Sequence, residues 1–165
     1  MSERKRALIV CPGRGSYRAN TLGLLKDRSS AAQAIVEACD TVRSGHQRPT
    51  VTELDAAEAF KGRLHVAGEN ASLLTFACAL ADAAEIDNSK YEIVGVMGNS
   101  MGFYTALALS GCLSLHDAIH LVETMAHYQV GNVIGGQLMY PLVEKDWFPS
   151  DTHSENIQAS LDRAR

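Results

Sequence analysis

Residues 94–111 read Val94-Gly95-Val96-Met97-Gly98-Asn99-Ser100-Met101-Gly102-Phe103-Tyr104-Thr105-Ala106-Leu107-Ala108-Leu109-Ser110-Gly111. An apolar strand-like run enters this stretch and an apolar helix-like run leaves it, with Gly-Asn-Ser-Met-Gly at the join. Glycine has no Cβ, so Gly98 and Gly102 let a strand and a helix close tightly around a corner. An ordinary turn would use its glycines in the same way. A nucleophile elbow needs in addition a strand before and a helix after, and both patterns are present, which favours a serine presented at the tip. Serine is a poor nucleophile unless it is held exposed, given a base, and faced by donors for the oxyanion that forms. The corner supplies the first and the last. Ser100 projects from it, and the Met101 amide lies at a helix N-terminus, where free N–H groups and the helix dipole favour negative charge.

Outward from this corner, strands and helices alternate. Arg6 to Cys11 is a continuous apolar strand, broken by the loop Pro12-Gly13-Arg14-Gly15-Ser16. Ser29 and Ser30 can cap a following helix in which Ala31, Ala34, Ile35, Ala38 and Val42 recur at helical spacing. A polar connection, 44–50, leads to a short helix expected over 52–60, with Leu54, Ala57 and Ala59 as its apolar face. Asn70 opens a long helix to about Ile86, too apolar on most sides for a surface element and therefore expected to be buried. Asp87-Asn88-Ser89 turns into the strand Tyr91 to Met97. After the elbow helix, Gly111 takes a left-handed C-cap position. Ser114-Leu115-His116-Asp117 resembles a capping box and starts a helix to about Gln129, with Leu115, Ala118, Ile119, Val122 and Met125 inward. Gly131 to Gly136 reads as a hinge, Gln137 to Val143 as a strand, and Ser154 as the cap of a last helix. Such alternation implies an α/β fold, a parallel sheet covered by helices on both faces. Only two clear strands precede residue 137, so the sheet is expected to be incomplete, with strands missing on the C-terminal side.

Composition narrows the function classes. The 165 residues are 46% apolar and 21% charged, ordinary for a globular chain with one sizeable core. A formal charge of −4 gives no basic footprint for nucleic acid. No apolar run approaches the roughly 18 residues of a membrane span, and Ala7 to Cys11 is too short for a signal-peptide core. Cys11, Cys39, Cys78 and Cys112 are scattered, without a C-x-x-C pair or a nearby histidine at ligand spacing. They read as small core residues of a cytoplasmic protein. No metal or cofactor is expected. Gly13-Arg14-Gly15 has Arg18 where a dinucleotide fingerprint needs glycine, and no Gly-Lys-Ser/Thr follows. A loop lining a site at the end of the first strand fits it better.

Both loops carry a resemblance. Ile9-Val10-Cys11-Pro12-Gly13-Arg14-Gly15-Ser16 is similar to the F-P-G-Q-G-S segment of the malonyl-CoA:acyl-carrier-protein transacylase family. Gly98-Asn99-Ser100-Met101-Gly102-Phe103-Tyr104-Thr105-Ala106-Leu107 is similar to its G-H-S-L-G-E-Y-[ST]-A-L segment, and the likeness continues from Ala108 to Val122. The resemblance implies an acyltransferase of fatty-acid or polyketide synthesis. Ser100 would take an acyl group from acyl-CoA and pass it to the phosphopantetheine thiol of an acyl carrier protein, with the Met101 amide as one oxyanion donor. It further implies an α/β-hydrolase-like core over 1–135 and the start of a ferredoxin-like subdomain over 136–165. The remaining strands and the catalytic histidine are expected beyond this chain, which alone should be inactive.

Against the family pattern, Arg14 replaces a glutamine that helps form the oxyanion hole, and Asn99 replaces a histidine. Met125 stands where malonyl-specific members carry an arginine for the substrate's free carboxylate, and a thioether cannot replace that fork. Arg14 is the natural substitute. Asn70 matches a family glutamine near the site; a plain helix N-cap explains it equally well. Of the six histidines, His116 and His120 read as solvated surface, His127 as a helix-end residue and His153 as a loop residue. Arg43, Arg48, Lys61 and Arg63 form either a basic face for an acidic carrier protein or ordinary solvated surface. A serine esterase or thioesterase with the same elbow is the alternative function. The Pro-Gly-x-Gly-Ser loop favours transfer, because α/β-hydrolases place an H-G-type oxyanion loop there.

Overall fold

A computed structural model describes residues 4–132 and 140–164 of the chain. They belong to two compact units, residues 1–132 and 133–165. In the first, β1 (Lys5–Cys11) is followed by α1 (Ser30–Gly45), α2 (Val51–Asp55), α3 (Gly62–His65), α4 (Gly68–Ala84), β2 (Tyr91–Gly98), α5 (Gly102–Leu109) and α6 (Leu115–Tyr128). The second contains α7 (Asp151–Ala164). Among the described residues no helix is long and apolar enough to cross a membrane.

Helix α4 is the axis of the first unit. Its residues 70–78, together with Leu80 and Ala81, are all buried, as its unbroken apolar character requires. α1 and α6 pack against it. Leu73, Leu74 and Phe76 have no exposed surface. The exposed apolar surface lies on the sheet instead. β1 and β2 pair in parallel, Cys11 opposite Gly98, with an irregularity between Ala7 and Leu8. Side chains alternate across a strand. Ile9 and Cys11 turn inward, whereas Leu8 and Val10, with Met97 opposite Val10, are half or more exposed. Among the described residues, then, the sheet has two strands and the Leu8–Val10–Met97 side is open, not covered as the alternation suggested.

Several elements depart from their expected form. The buried stripe of α1 is Ala32, Val36, Cys39 and Arg43, one position round from the predicted face; Ala31 and Ala34 are exposed, with Ile35, Ala38 and Val42 flanking the core. The packing of α1 against α4 and α6 sets that face. Ser29, not Ser30, caps the helix, accepting the Ala32 N–H. The helix expected over 52–60 stops at Asp55, whose carboxylate turns inward to accept the Tyr17 hydroxyl at 2.5 Å and the Leu24 and Leu25 N–H groups. Val51, not Ala57 or Ala59, completes its buried face with Leu54. α7 begins at Asp151, because the Ser150 hydroxyl accepts the His153 N–H; Ser154 lies inside the helix and bonds back to the Ser150 carbonyl. Residues 133–136 of the predicted hinge and 137–139 of the predicted strand lie outside the described residues. Residues 140–143 contribute only an isolated bridge from Val143 to Pro149. Cys11, Cys39 and Cys78 are buried, but Cys112 is exposed and not a core residue.

Candidate active site

Both strands end at the same edge, so the loops that follow them meet. The Asn99 N–H donates to the Cys11 carbonyl at 3.2 Å, pinning the elbow to the end of β1. Gly102 then packs so closely that a Cβ there would overlap the Cys11 carbonyl, and a Cβ on Gly98 would overlap the Gly102 carbonyl. The elbow's two glycines are therefore steric requirements on both sides of Ser100. Ser100 itself has φ +53°, a left-handed conformation unusual for a non-glycine residue, and it is exposed. Strain at the tip of a strand–helix corner marks a presented side chain.

The surroundings of Ser100 suit a developing anion. Gly102, Phe103 and Tyr104 N–H groups are taken by the carbonyls of Asn99, Ser100 and Met101, whereas the Met101 N–H has no acceptor among the described residues. The Met101 side chain is buried, beside the Thr105 hydroxyl, and so anchors that free amide at the head of α5. Gly13 closes the other side: a Cβ on it would lie 3.5 Å from the Ser100 Cβ and 3.3 Å from the Asn99 carbonyl. The next residue, Arg14, is tied down by the Thr75 hydroxyl, which donates to its carbonyl at 3.3 Å. Its guanidinium crosses Gly68, where a Cβ would stand 2.7 Å from Nη1, and donates to Gln129 Oε1 at 2.7 Å. Gln129 follows Met125 by one helical turn, and Met125 is half-buried on α6.

No family model matches the chain, and no curated protein does. Among solved structures, an acyl-carrier-protein S-malonyltransferase from Burkholderia pseudomallei 1710b is 23% identical and superposes with a TM-score of 0.58, over 79% of this chain and 40% of its own. A loading acyltransferase of the avermectin modular polyketide synthase is 26% identical with a TM-score of 0.52, over 75% of this chain and 39% of its own. The fold is that of the malonyl-CoA:acyl-carrier-protein transacylase family. The chain spans about 40% of the length of these two acyltransferase structures.

Within this acyltransferase fold, the other sequence candidates fall in unexpected places. Asn70 is not an N-cap; it lies inside α4, whose N-cap is Ala67. Its amide is fully engaged, Nδ2 donating to the Leu64 carbonyl at 3.0 Å and Oδ1 accepting Arg43 Nη2 at 2.6 Å. Arg43 is the larger surprise. Far from forming a basic surface, it has no exposed area, and its guanidinium donates to the carbonyls of Pro49 and Glu69, to Asn70 and to Glu123. Arg48 pairs with the other Glu123 oxygen at 2.7 Å. A buried guanidinium has to be paired, and Glu123 is the buried carboxylate that pairs it. Of the supposed basic face only Lys61 and Arg63 remain exposed and unpaired.

Among residues 4–132 no histidine makes a hydrogen bond to Ser100. His65, fully buried, bonds to the Leu54 carbonyl and the Lys61 backbone and stacks on Phe60. His127 bonds to the Glu123 carbonyl and Arg48. No three or more His, Cys, Asp or Glu side chains converge to hold a metal among the described residues. A cavity of about 380 Å³ lies between β1, the loop after it and α4, lined by Ile9, Cys11, Pro12, Tyr17 and Cys78. It does not include Ser100. Ser100 stands at the open ends of the strands, outside this cavity.

Proposed function

We propose that this chain carries the nucleophile of an acyltransferase that moves an acyl group from coenzyme A to an acyl carrier protein, in fatty-acid or polyketide synthesis. The observation that carries it is Ser100, held at φ +53° between two glycines and beside a free Met101 amide. Ser100 Oγ attacks the thioester carbonyl carbon, and the oxyanion takes the Met101 N–H, with the Gly13–Arg14 loop closing the opposite side. The C–S bond breaks and coenzyme A leaves as the thiol, carrying the serine proton. The phosphopantetheine thiol then attacks the Ser100 ester, the C–O bond breaks and Oγ recovers a proton. The base for both steps comes from outside the described residues. General-base assistance is worth about 10²–10⁴ in rate, so the 165-residue chain alone acylates and transfers slower by about that factor. Its four unpaired cysteines suit the reducing cytoplasm.

Arg14 selects the acyl group in this reading. Its guanidinium is held to a neutral amide, Gln129, one turn from Met125, leaving most of its five donors for a malonyl carboxylate. A charge-assisted bond of this kind is worth about 1.5–3 kcal/mol, roughly ten- to a hundredfold in selectivity. Arg14→Gln should lower malonyl over acetyl labelling by that factor; an unchanged ratio removes Arg14 from the role.

Transfer itself is tested in two stages. The chain is acylated with malonyl-CoA, freed of coenzyme A, and split between buffer and a holo acyl carrier protein. The acyl group should move to the carrier thiol and stay on the chain in buffer. Loss to water at the same rate in both arms would identify a hydrolase instead.

A further inference from the structure

The first turns of α6 hold an arrangement that acyl transfer does not use. His116-Asp117-Ala118-Ile119-His120 places two imidazoles at i and i+4, neighbours on one helix face. Ala118 and Ile119 are buried and fix the orientation of the turn, while the His116 side chain is 75% exposed. The two rings lie 4.3 Å apart, centre to centre, and are tilted by 54°. Two imidazoles bound side by side to one ion through nitrogens at about 2.0–2.1 Å have ring centres roughly 4.5–5 Å apart. The observed ring separation is close to that distance.

Asp117 prepares one of the two rings. Its Oδ2 accepts the Ser114 hydroxyl at 2.7 Å and its Oδ1 faces His116 Nδ1 at 3.4 Å. These two contacts place the Asp117 carboxyl group directly behind the His116 ring. With Nδ1 turned to Asp117, His116 has Nε2 as the nitrogen left to face an ion. A carboxylate behind an imidazole is the arrangement that orients a metal-binding histidine and raises its basicity. The same negative charge offsets the positive end of α6, which would otherwise oppose a cation. His120 has no hydrogen-bond partner among the described residues, so its nitrogens are free.

We infer that His116 and His120 form a two-imidazole chelate for a divalent transition ion of the zinc, nickel and copper class, with water completing its coordination. Imidazole ligands suit these ions, whereas magnesium and calcium prefer oxygen. The site is open and exchangeable, because no third protein ligand converges on it. It lies on the helix face away from the α4 packing, and it would clip the first turns of α6.

Calorimetric titration of the 165-residue chain with nickel chloride tests the site. One saturable ion per chain is expected, weakened at least about tenfold by His116→Ala and by His120→Ala alike. Asp117→Asn should weaken binding without abolishing it, and magnesium chloride should give no binding. Both histidines are at the surface, and circular dichroism checks that each variant keeps its helix. The inference is overturned if wild type shows no saturable nickel binding, or if the double alanine variant binds as wild type does, which would assign the ion to another histidine.

Discussion

Ser100 holds a backbone conformation that costs a non-glycine residue about 1–3 kcal/mol, and nothing in the fold requires a side chain there. The neighbouring glycines meet the opposite demand, since Gly98 and Gly102 stand where a Cβ has no room. These two facts give opposite signs to substitution across three residues. Ser100→Gly and Ser100→Ala both delete the hydroxyl, but only alanine keeps the strained φ. The glycine variant should be the more stable of the two by about 1 kcal/mol, read from urea midpoints. Gly98→Ala should unfold at markedly lower urea than either. Equal stability of the two Ser100 variants would mean that the corner is not strained, and with it would go the argument that Ser100 is presented rather than merely turned.

At the scale of elements, the first unit is held together by ionic stitches that join segments distant in sequence. Arg43 on α1 ties the Pro49 loop, the first turn of α4 and Glu123 on α6. Removing one member of a buried pair costs about 3–5 kcal/mol, whereas replacing both by apolar residues is often neutral. Arg43→Met should therefore fall in that range, softened because Arg48 still pairs Glu123, and Arg43→Met with Glu123→Leu should recover part of the loss. A second stitch is exposed: Glu85 accepts the Ser29 N–H at 3.0 Å and Arg28 at 2.7 Å, which holds its carboxyl below the usual glutamate range. A carboxylate lowered on folding stabilises above its unfolded pKa and loses that contribution as pH falls through the folded value. Stability should drop below about pH 4.5, and Glu85→Gln should flatten that drop in urea titrations from pH 7 to pH 3.

These stitches mark the limit of what the sequence discloses. The elbow, β1, β2 and the span of α4 were legible because glycine sterics and apolar periodicity are local properties of the chain. The burial of Arg43 was not. Its carboxylate partner is 80 positions away, and no local pattern distinguishes it from a surface arginine. An apolar stripe on α1 that included position 43, in phase with Ala32, Val36 and Cys39, was the one available hint. Among the candidate residues, Ser100, Met101, Gly13 and Asn99 come together because the two strands pair in register; Arg14 joins them through a bond to Gln129 that no motif announces. Asn70 faces Arg43 instead.

For the whole molecule, the open side of the sheet and the base that the proposed reaction needs belong together. Leu8, Val10, Met97 and, on α5, Phe103 are apolar and exposed beside the edge where Ser100 stands. Acyl transfer needs that edge closed against water and supplied with a proton acceptor. In the proposed reaction the chain supplies Ser100 and the Met101 amide, and a nucleophile with an oxyanion donor retains a share of catalysis even without a base. Single-turnover labelling is therefore the direct test. The chain is incubated with malonyl-CoA, quenched at low pH, and digested for peptide mass spectrometry. One malonyl increment on the peptide containing Ser100, absent from Ser100→Ala, is the predicted result. An unmodified Ser100 peptide, or the same adduct in Ser100→Ala, would contradict it.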